Sequence, residues 1–116
     1  MVEIKSLNTD KYYYINAYID GIRVGKLGIE YCGSKKIHIN YVITSESHTG
    51  KGIATMLLNK AIETFKTYEI SLTVVPMPRK GENLKYRTIK GLTEFYGKFG
   101  FKRTDDPCFV KMILNN

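Results

Sequence analysis

The chain has 116 residues, 43% of them hydrophobic, and a formal charge of +7. That length suffices for one core and is too short for two, so a single domain over residues 1–116 is expected, with no second domain to bring chemistry of its own. The opening Met1-Val2-Glu3-Ile4-Lys5 has no basic segment leading into an apolar stretch, and nowhere do about eighteen apolar residues run together, which predicts a soluble cytoplasmic protein without membrane association.

The first half reads as strands. Residues 2–7, 11–19, 22–32 and 35–44 are rich in β-branched and aromatic side chains. Asn8-Thr9-Asp10, Asp20-Gly21 and Gly33-Ser34 separate them and are short enough for tight turns, so an antiparallel meander is expected. In the second strand Tyr12, Tyr14 and Tyr18 share one parity with Asn16, which fits sheet-face packing as well as a stacking platform. In the fourth, alternation groups His38 with Asn40, Val42 and Thr44 against Ile37, Ile39, Tyr41 and Ile43.

Helical periodicity begins after the fourth strand. Residues 50–66 place Ile53, Met56, Leu57, Ala61, Ile62 and Phe65 on one stripe, the spacing of a helix packed on a sheet. Residues 68–75 read as a buried strand halted by Pro76 and Pro78, and residues 77–83 as a loop. A second helix over 84–99 would carry Leu84, Thr88, Leu92, Phe95 and Phe99 inward, weakened by Gly91 and ended by Gly100. A strand over 101–104, a turn at Asp105-Asp106-Pro107 and a closing strand over 108–114 complete a mixed α/β fold, a mostly antiparallel sheet with flanking helices. Cys32 and Cys108 lie outside any Cys-x-x-Cys or Cys/His spacing, so reduced thiols are expected and no metal.

The junction of strand and first helix, residues 47–58, reads Ser-His-Thr-Gly-Lys-Gly-Ile-Ala-Thr-Met-Leu-Leu. Gly50 and Gly52 keep side chains out of the turn, so the amides of about residues 50 to 54 converge at a helix N-terminus on a bound anion. Neither the Gly-x-x-x-x-Gly-Lys-Ser/Thr of a P-loop nor the Gly-x-Gly-x-x-Gly of a dinucleotide fold fits. The segment resembles the acetyl-CoA pyrophosphate loop of the GNAT N-acetyltransferases, Arg/Gln-x-x-Gly-x-Gly/Ala, aligned on Thr49, Gly50, Lys51, Gly52, Ile53 and Ala54. Further on, Leu92-Thr93-Glu94-Phe95-Tyr96-Gly97-Lys98-Phe99-Gly100-Phe101 is similar to the Phe/Leu-Tyr-x-Lys-x-Gly-Phe that closes the last helix of that superfamily. The resemblance spans residues 22–114.

What the resemblance implies is transfer of an acetyl group from acetyl-CoA to an amine by direct attack in a ternary complex. Main-chain groups of Val42, Ile43 and Thr44 would line the pantetheine arm, and Tyr96 stands where many members protonate the CoA sulfur. A phenol suits that role because its ordinary pKa of about 10 lies above the roughly 8.5 of a thiol. An amine attacks only when neutral, so a base is needed, directly or through water. His38-Ile39 occupies the place of the Glu-Ile of some histone-acetylating members, and imidazole, with an ordinary pKa near 6.5, suits the task. Glu46 and His48 are further candidates for the base. Three departures stand out: Thr49 replaces Arg or Gln, Ile89 sits where an Asn is frequent, and only Asn8-Thr9-Asp10 fills the place of one or two helices between the first two strands. Those helices often cover the acceptor site, so an open groove suited to a macromolecular acceptor is implied.

Charge bears on partners. Arg79, Lys80, Lys85, Arg87, Lys90, Lys98, Lys102 and Arg103 are opposed nearby only by Glu82 and Glu94, a surface that attracts acidic partners. The expected acceptor is a protein amine in acidic surroundings, with the chain a monomer or homodimer. A catalytically silent CoA-binding module is the alternative. Direct nucleic-acid binding is less favoured, for want of a recognised module.

Overall fold

The computed structural model describes residues 1–48, 50–74, 89–105 and 111–115. Strands β1 (Val2–Asn8), β2 (Tyr12–Ile19), β3 (Ile22–Gly33) and β4 (Lys36–Thr44) form the expected antiparallel meander. A 3₁₀ turn (Glu46–His48) leads on to helix α1 (Ile53–Thr64), followed by β5 (Glu69–Thr73), α2 (Ile89–Gly97), β6 (Lys102–Arg103) and β7 (Lys111–Asn115). The sheet has seven strands in the order β1-β2-β3-β4-β5-β7-β6, with β4 and β5 parallel and every other neighbouring pair antiparallel. No helix stands between β1 and β2. The expected loop at 77–83, the first residues of the second helix, the Asp106-Pro107 turn and Cys108 lie outside the described residues.

Local chemistry sets these boundaries. Asp20 (φ 51°) and Gly21 (φ 78°) both adopt the left-handed conformation that a two-residue hairpin of the type I′ class demands. Helix α1 begins at Ile53, three residues later than its sequence pattern suggests, because Gly50 (φ 81°) and Gly52 (φ 77°) are left-handed and Gly52 serves as its N-cap. Its buried side chains are Ile53, Leu57, Leu58 and Ala61. Met56, expected on that stripe, is 41% exposed, and Leu58 fills the core in its place. Gly25 allows this fit: a Cβ there would lie 2.7 Å from Ile53 Cγ2 and 3.2 Å from Leu57 Cδ1.

The two faces of the sheet differ sharply. Pairing register puts Ile15, Ala17, Leu27, Ile29, Ile37, Ile39, Ile70, Leu72, Met112 and Leu114 on one face, all buried, and α1 lies over β2, β3 and β4 there. Leu92, Phe95, Tyr96 and Phe99 pack against the same core from α2 and the turn after it, beside the buried Phe101. Removing those apolar side chains from water stabilises each by about 1.5–3 kcal/mol. On the opposite face of β1–β4, Gly28 is the sole buried residue among the described residues, and it is covered by the ring of Tyr41.

A bulge divides β4. Tyr41 pairs with Gly28 and Ile39 with Ile29, leaving Asn40 as the extra residue. One inserted residue reverses every later side chain. His38, which faces Glu30 and Ser71 across its neighbours, therefore shares a face with Tyr41 and Ile43, while Val42, opposite Leu27, turns toward the core side. Strict alternation had grouped His38 with Val42 and Thr44. That grouping is corrected by the bulge, which a pattern of period two cannot register.

Candidate functional site

The bulge also opens the sheet. The parallel ladder between β4 and β5 runs from Lys36↔Glu69 to Ile39↔Leu72 and stops there, at the residue before Asn40. Beyond it the strands part, and a cavity of about 60 Å³ lies in the gap, lined by Ile39, Asn40, Tyr41, Val42, Leu72, Thr73 and Tyr96. A split between parallel strands at their carboxyl ends is where open α/β sheets receive ligands. Val42 and Ile43 run along its β4 side beyond the end of that ladder, still paired with β3 on the other.

Residues 45–52 carry the chain from β4 to α1, so the glycine turn sits at this same end of the sheet. The first-turn amides of a helix have no partner within it and carry the positive end of its dipole. No acidic residue occupies the first turn of α1, and no side chain caps it. A Cβ at Gly50 or at Gly52 would meet nothing within 4 Å, so the space beside these two residues is open among the described residues. The glycines are required by their positive φ, which for another L-residue costs about 1–2 kcal/mol. Lys51 is exposed between them, with Ile53 buried and Ala54 part-buried at the helix start. Thr49 lies outside the described residues.

Tyr96 reaches the gap from α2, held edge-on between Phe95 and Phe101 at ring distances of 5.4 and 6.2 Å. Its neighbours in the cavity come from β4 and β5, so the structure brings it together with Val42. His38 sits before the gap, in the last part of β4 that is still paired with β5. Its Nδ1 lies 2.7 Å from Ser71 Oγ, and Ser71 Oγ donates a longer bond of 3.4 Å to the Ile37 carbonyl. The Ser71 contact engages Nδ1, so Nε2 is the ring nitrogen outside it. Burial holds the His38 imidazole below its ordinary pKa, the Lys111 charge adds to this, and Glu30 opposes it. Glu46 belongs to the 3₁₀ turn, with its side chain outside the described residues, and His48 Nδ1 bonds Ser47 Oγ at 2.9 Å.

Asn40, Ser71 and Thr73 were not singled out from sequence. Ser71 and Thr73 alternate with buried Leu72 and look like ordinary strand polar residues, and their place beside His38 and Tyr96 depends on a parallel pairing that no local pattern announces. Among the described residues there is no cluster of His, Cys, Asp and Glu able to hold a metal, and no helix is long and apolar enough to cross a membrane.

With this geometry in view, comparison with known proteins is decisive at the level of family. The sequence profile of the acetyltransferase (GNAT) family matches residues 2–81. The chain belongs to the GNAT acetyltransferase family. No curated protein matches it in sequence. A GNAT acetyltransferase from Elizabethkingia anophelis with acetyl-CoA bound superposes with a TM-score of 0.76 at 12% identity, covering 99% of this chain and 98% of that one. The PaiA N-acetyltransferase of Thermoplasma acidophilum, in complex with coenzyme A, gives 0.69 at 21% identity over 91% of this chain. This chain spans 62% of that protein's length. Escherichia coli ElaA gives 0.67 at 20% identity, covering 92% of this chain and 70% of that one. Membership in the GNAT family supports acetyl-CoA-dependent acyl transfer in general. The open space before Gly50 and Gly52 and the parted strands fit a cofactor with a phosphate-rich head and a long polar arm.

Proposed function

We propose that this GNAT protein is an N-acetyltransferase that moves the acetyl group of acetyl-CoA directly to an amine, most favourably a protein amine in acidic surroundings. The observation that carries the reading is one cavity, in the gap between β4 and β5, where Val42 of β4 meets Tyr96 of α2. In this reading the amides of residues 50 to 54 hold the diphosphate, helped by Lys51, and Thr49 belongs to the same loop. Main-chain groups of Val42, Ile43 and Thr44 run beside the pantetheine arm. Acetyl-CoA supplies an activated thioester when bound.

The protein's own residues have two tasks. Tyr96 donates a hydrogen bond or proton where the thiolate departs, which a phenol does without being ionised itself at neutral pH. His38 accepts the proton of the attacking amine at Nε2, with its ring oriented by the Ser71 contact at Nδ1. Glu46 acting through water is the alternative base. The lowered pKa of His38 keeps it unprotonated at neutral pH, ready to accept.

Incubating the protein with isotope-labelled acetyl-CoA and a cell extract, followed by mass spectrometry, tests the reading. Label on lysine or N-terminal amines of proteins supports it. Acetyl-CoA binding without transfer to any acceptor would make the chain a silent CoA-binding module.

A further inference from the structure

The face of the sheet away from the helices carries Tyr12, Tyr14 and Tyr18 of β2 and Tyr41 of β4. It would ordinarily be covered in an α/β protein, since a bare sheet face leaves its side chains wet. Here its composition suits exposure to a particular kind of partner. Tyr12 and Tyr14 stack at a ring distance of 6.0 Å and an interplanar angle of 26°. A Cβ at Gly28 would overlap the Tyr41 ring, so the absence of a side chain there lets that ring lie against the β3 backbone.

Cations stand among the rings. Lys26 Nζ lies 5.5 Å from the Tyr41 ring centre and Lys5 Nζ 5.3 Å from that of Tyr18, and Arg23 belongs to the same face. The acids there are already engaged: Glu3 pairs with Lys5 at 3.2 Å, and Glu30 accepts a bond from Asn40 at 3.4 Å. We propose that this face, which no helix among the described residues covers, is a binding platform for single-stranded nucleic acid. Bases stack on the tyrosine rings without regard to their identity, while Lys26 moves from the Tyr41 ring to phosphate and Arg23 adds a second charge for the backbone. A second copy of the chain is disfavoured as the occupant, because a two-fold contact would press this patch, with the cations Lys5, Arg23 and Lys26 against the acids Glu3 and Glu30, onto a copy of the same positive sign. An acidic peptide would use the cations and leave the flat rings without a role. The proposal goes beyond acetyl transfer and does not depend on it.

The test is fluorescence anisotropy of labelled oligo(dT) and oligo(U), each of about 15 nucleotides, titrated with the full chain at about 50 and 200 mM salt. Saturable binding of either strand, weaker at the higher salt, is expected, and a preference between the two identifies DNA or RNA as the natural source. Tyr14→Ala and Tyr41→Ala should each weaken binding on the order of 10-fold, while Tyr14→Phe and Tyr41→Phe retain it. Lys26→Glu should weaken binding and flatten its salt dependence. Should Tyr41→Ala prove unfolded by circular dichroism, Tyr14→Ala and Lys26→Glu carry the test. Absence of binding at low salt, or binding indifferent to both ring truncations, overturns the proposal. So does a dimer in sedimentation that Tyr14→Ala dissolves, which would assign the face to a second copy.

Discussion

At the scale of single residues, the proposed chemistry rests on Tyr96 and His38. Tyr96 lines the gap beside Val42 and Thr73, where a departing thiolate would need a donor. Tyr96→Phe keeps the ring and its contacts with Phe95 and Phe101 and removes only the hydroxyl. It should lower the single-turnover rate by on the order of 10- to 1,000-fold and leave acetyl-CoA affinity nearly unchanged, as rapid-quench and calorimetric measurements would show. Full activity in that variant removes Tyr96 from the chemistry. For His38, burial lowers the pKa, so the rising limb of activity should fall below the ordinary value of about 6.5. His38→Gln should abolish the limb, and a pH–rate profile identical to wild type would transfer the role to Glu46 or to the amine's own ionisation. The same shift has a sign in stability. The fold favours neutral His38, so its contribution is complete above about pH 6.5 and is lost as pH falls through the lower folded pKa. Thermal melts of wild type and His38→Gln should therefore diverge only on the acid side.

At the scale of elements, the decisive contacts join α1 to the sheet. Gly25 brings β3 so close to Ile53 and Leu57 that Gly25→Val has no room, and overpacking of this kind costs about 1–3 kcal/mol. Leu57→Ala, at a fully buried position, should cost about 2–5 kcal/mol. Chemical denaturation of both variants checks these values, and a Gly25→Val protein as stable as wild type would mean that α1 does not press on β3. Much of the element order was legible in sequence because it rests on local signals. Asp20-Gly21 specified its hairpin, and the change from alternation to helical spacing marked α1. What stayed hidden is long-range. The bulge at Asn40 has no composition of its own, yet it reverses the faces of Tyr41 to Thr44 and ends the β4–β5 ladder. Met56 and Leu58 exchanged roles because both flank the same helical stripe, and only the sheet beneath decides which is covered.

At the scale of the whole molecule, the family architecture persists with one side left open. Thr9, Asp10 and Lys11 make the complete connection from β1 to β2, with the Thr9 amide donating to the Tyr12 carbonyl at 2.8 Å. No helix therefore forms between these strands, and the sheet surface of Tyr14, Tyr41 and Lys26 is left without a helical cover among the described residues. The glycine turn before α1 was readable in sequence, since glycine spacing at a strand–helix junction is a local signal. The gap between β4 and β5 was not, because it arises from a bulge and a parallel pairing.

Acetyl-CoA held by the amides at the start of α1 should respond to changes at Gly52, and isothermal titration of acetyl-CoA into wild type, Gly52→Asn and Gly52→Glu reads that response. Asparagine tolerates the left-handed conformation that Gly52 adopts, so it controls for backbone strain, whereas glutamate adds bulk and negative charge in the open space before the amides. Saturable binding in wild type, modest weakening in Gly52→Asn and a loss of at least about 10-fold in a folded Gly52→Glu is the predicted pattern. Wild-type affinity in a folded Gly52→Glu protein would contradict it.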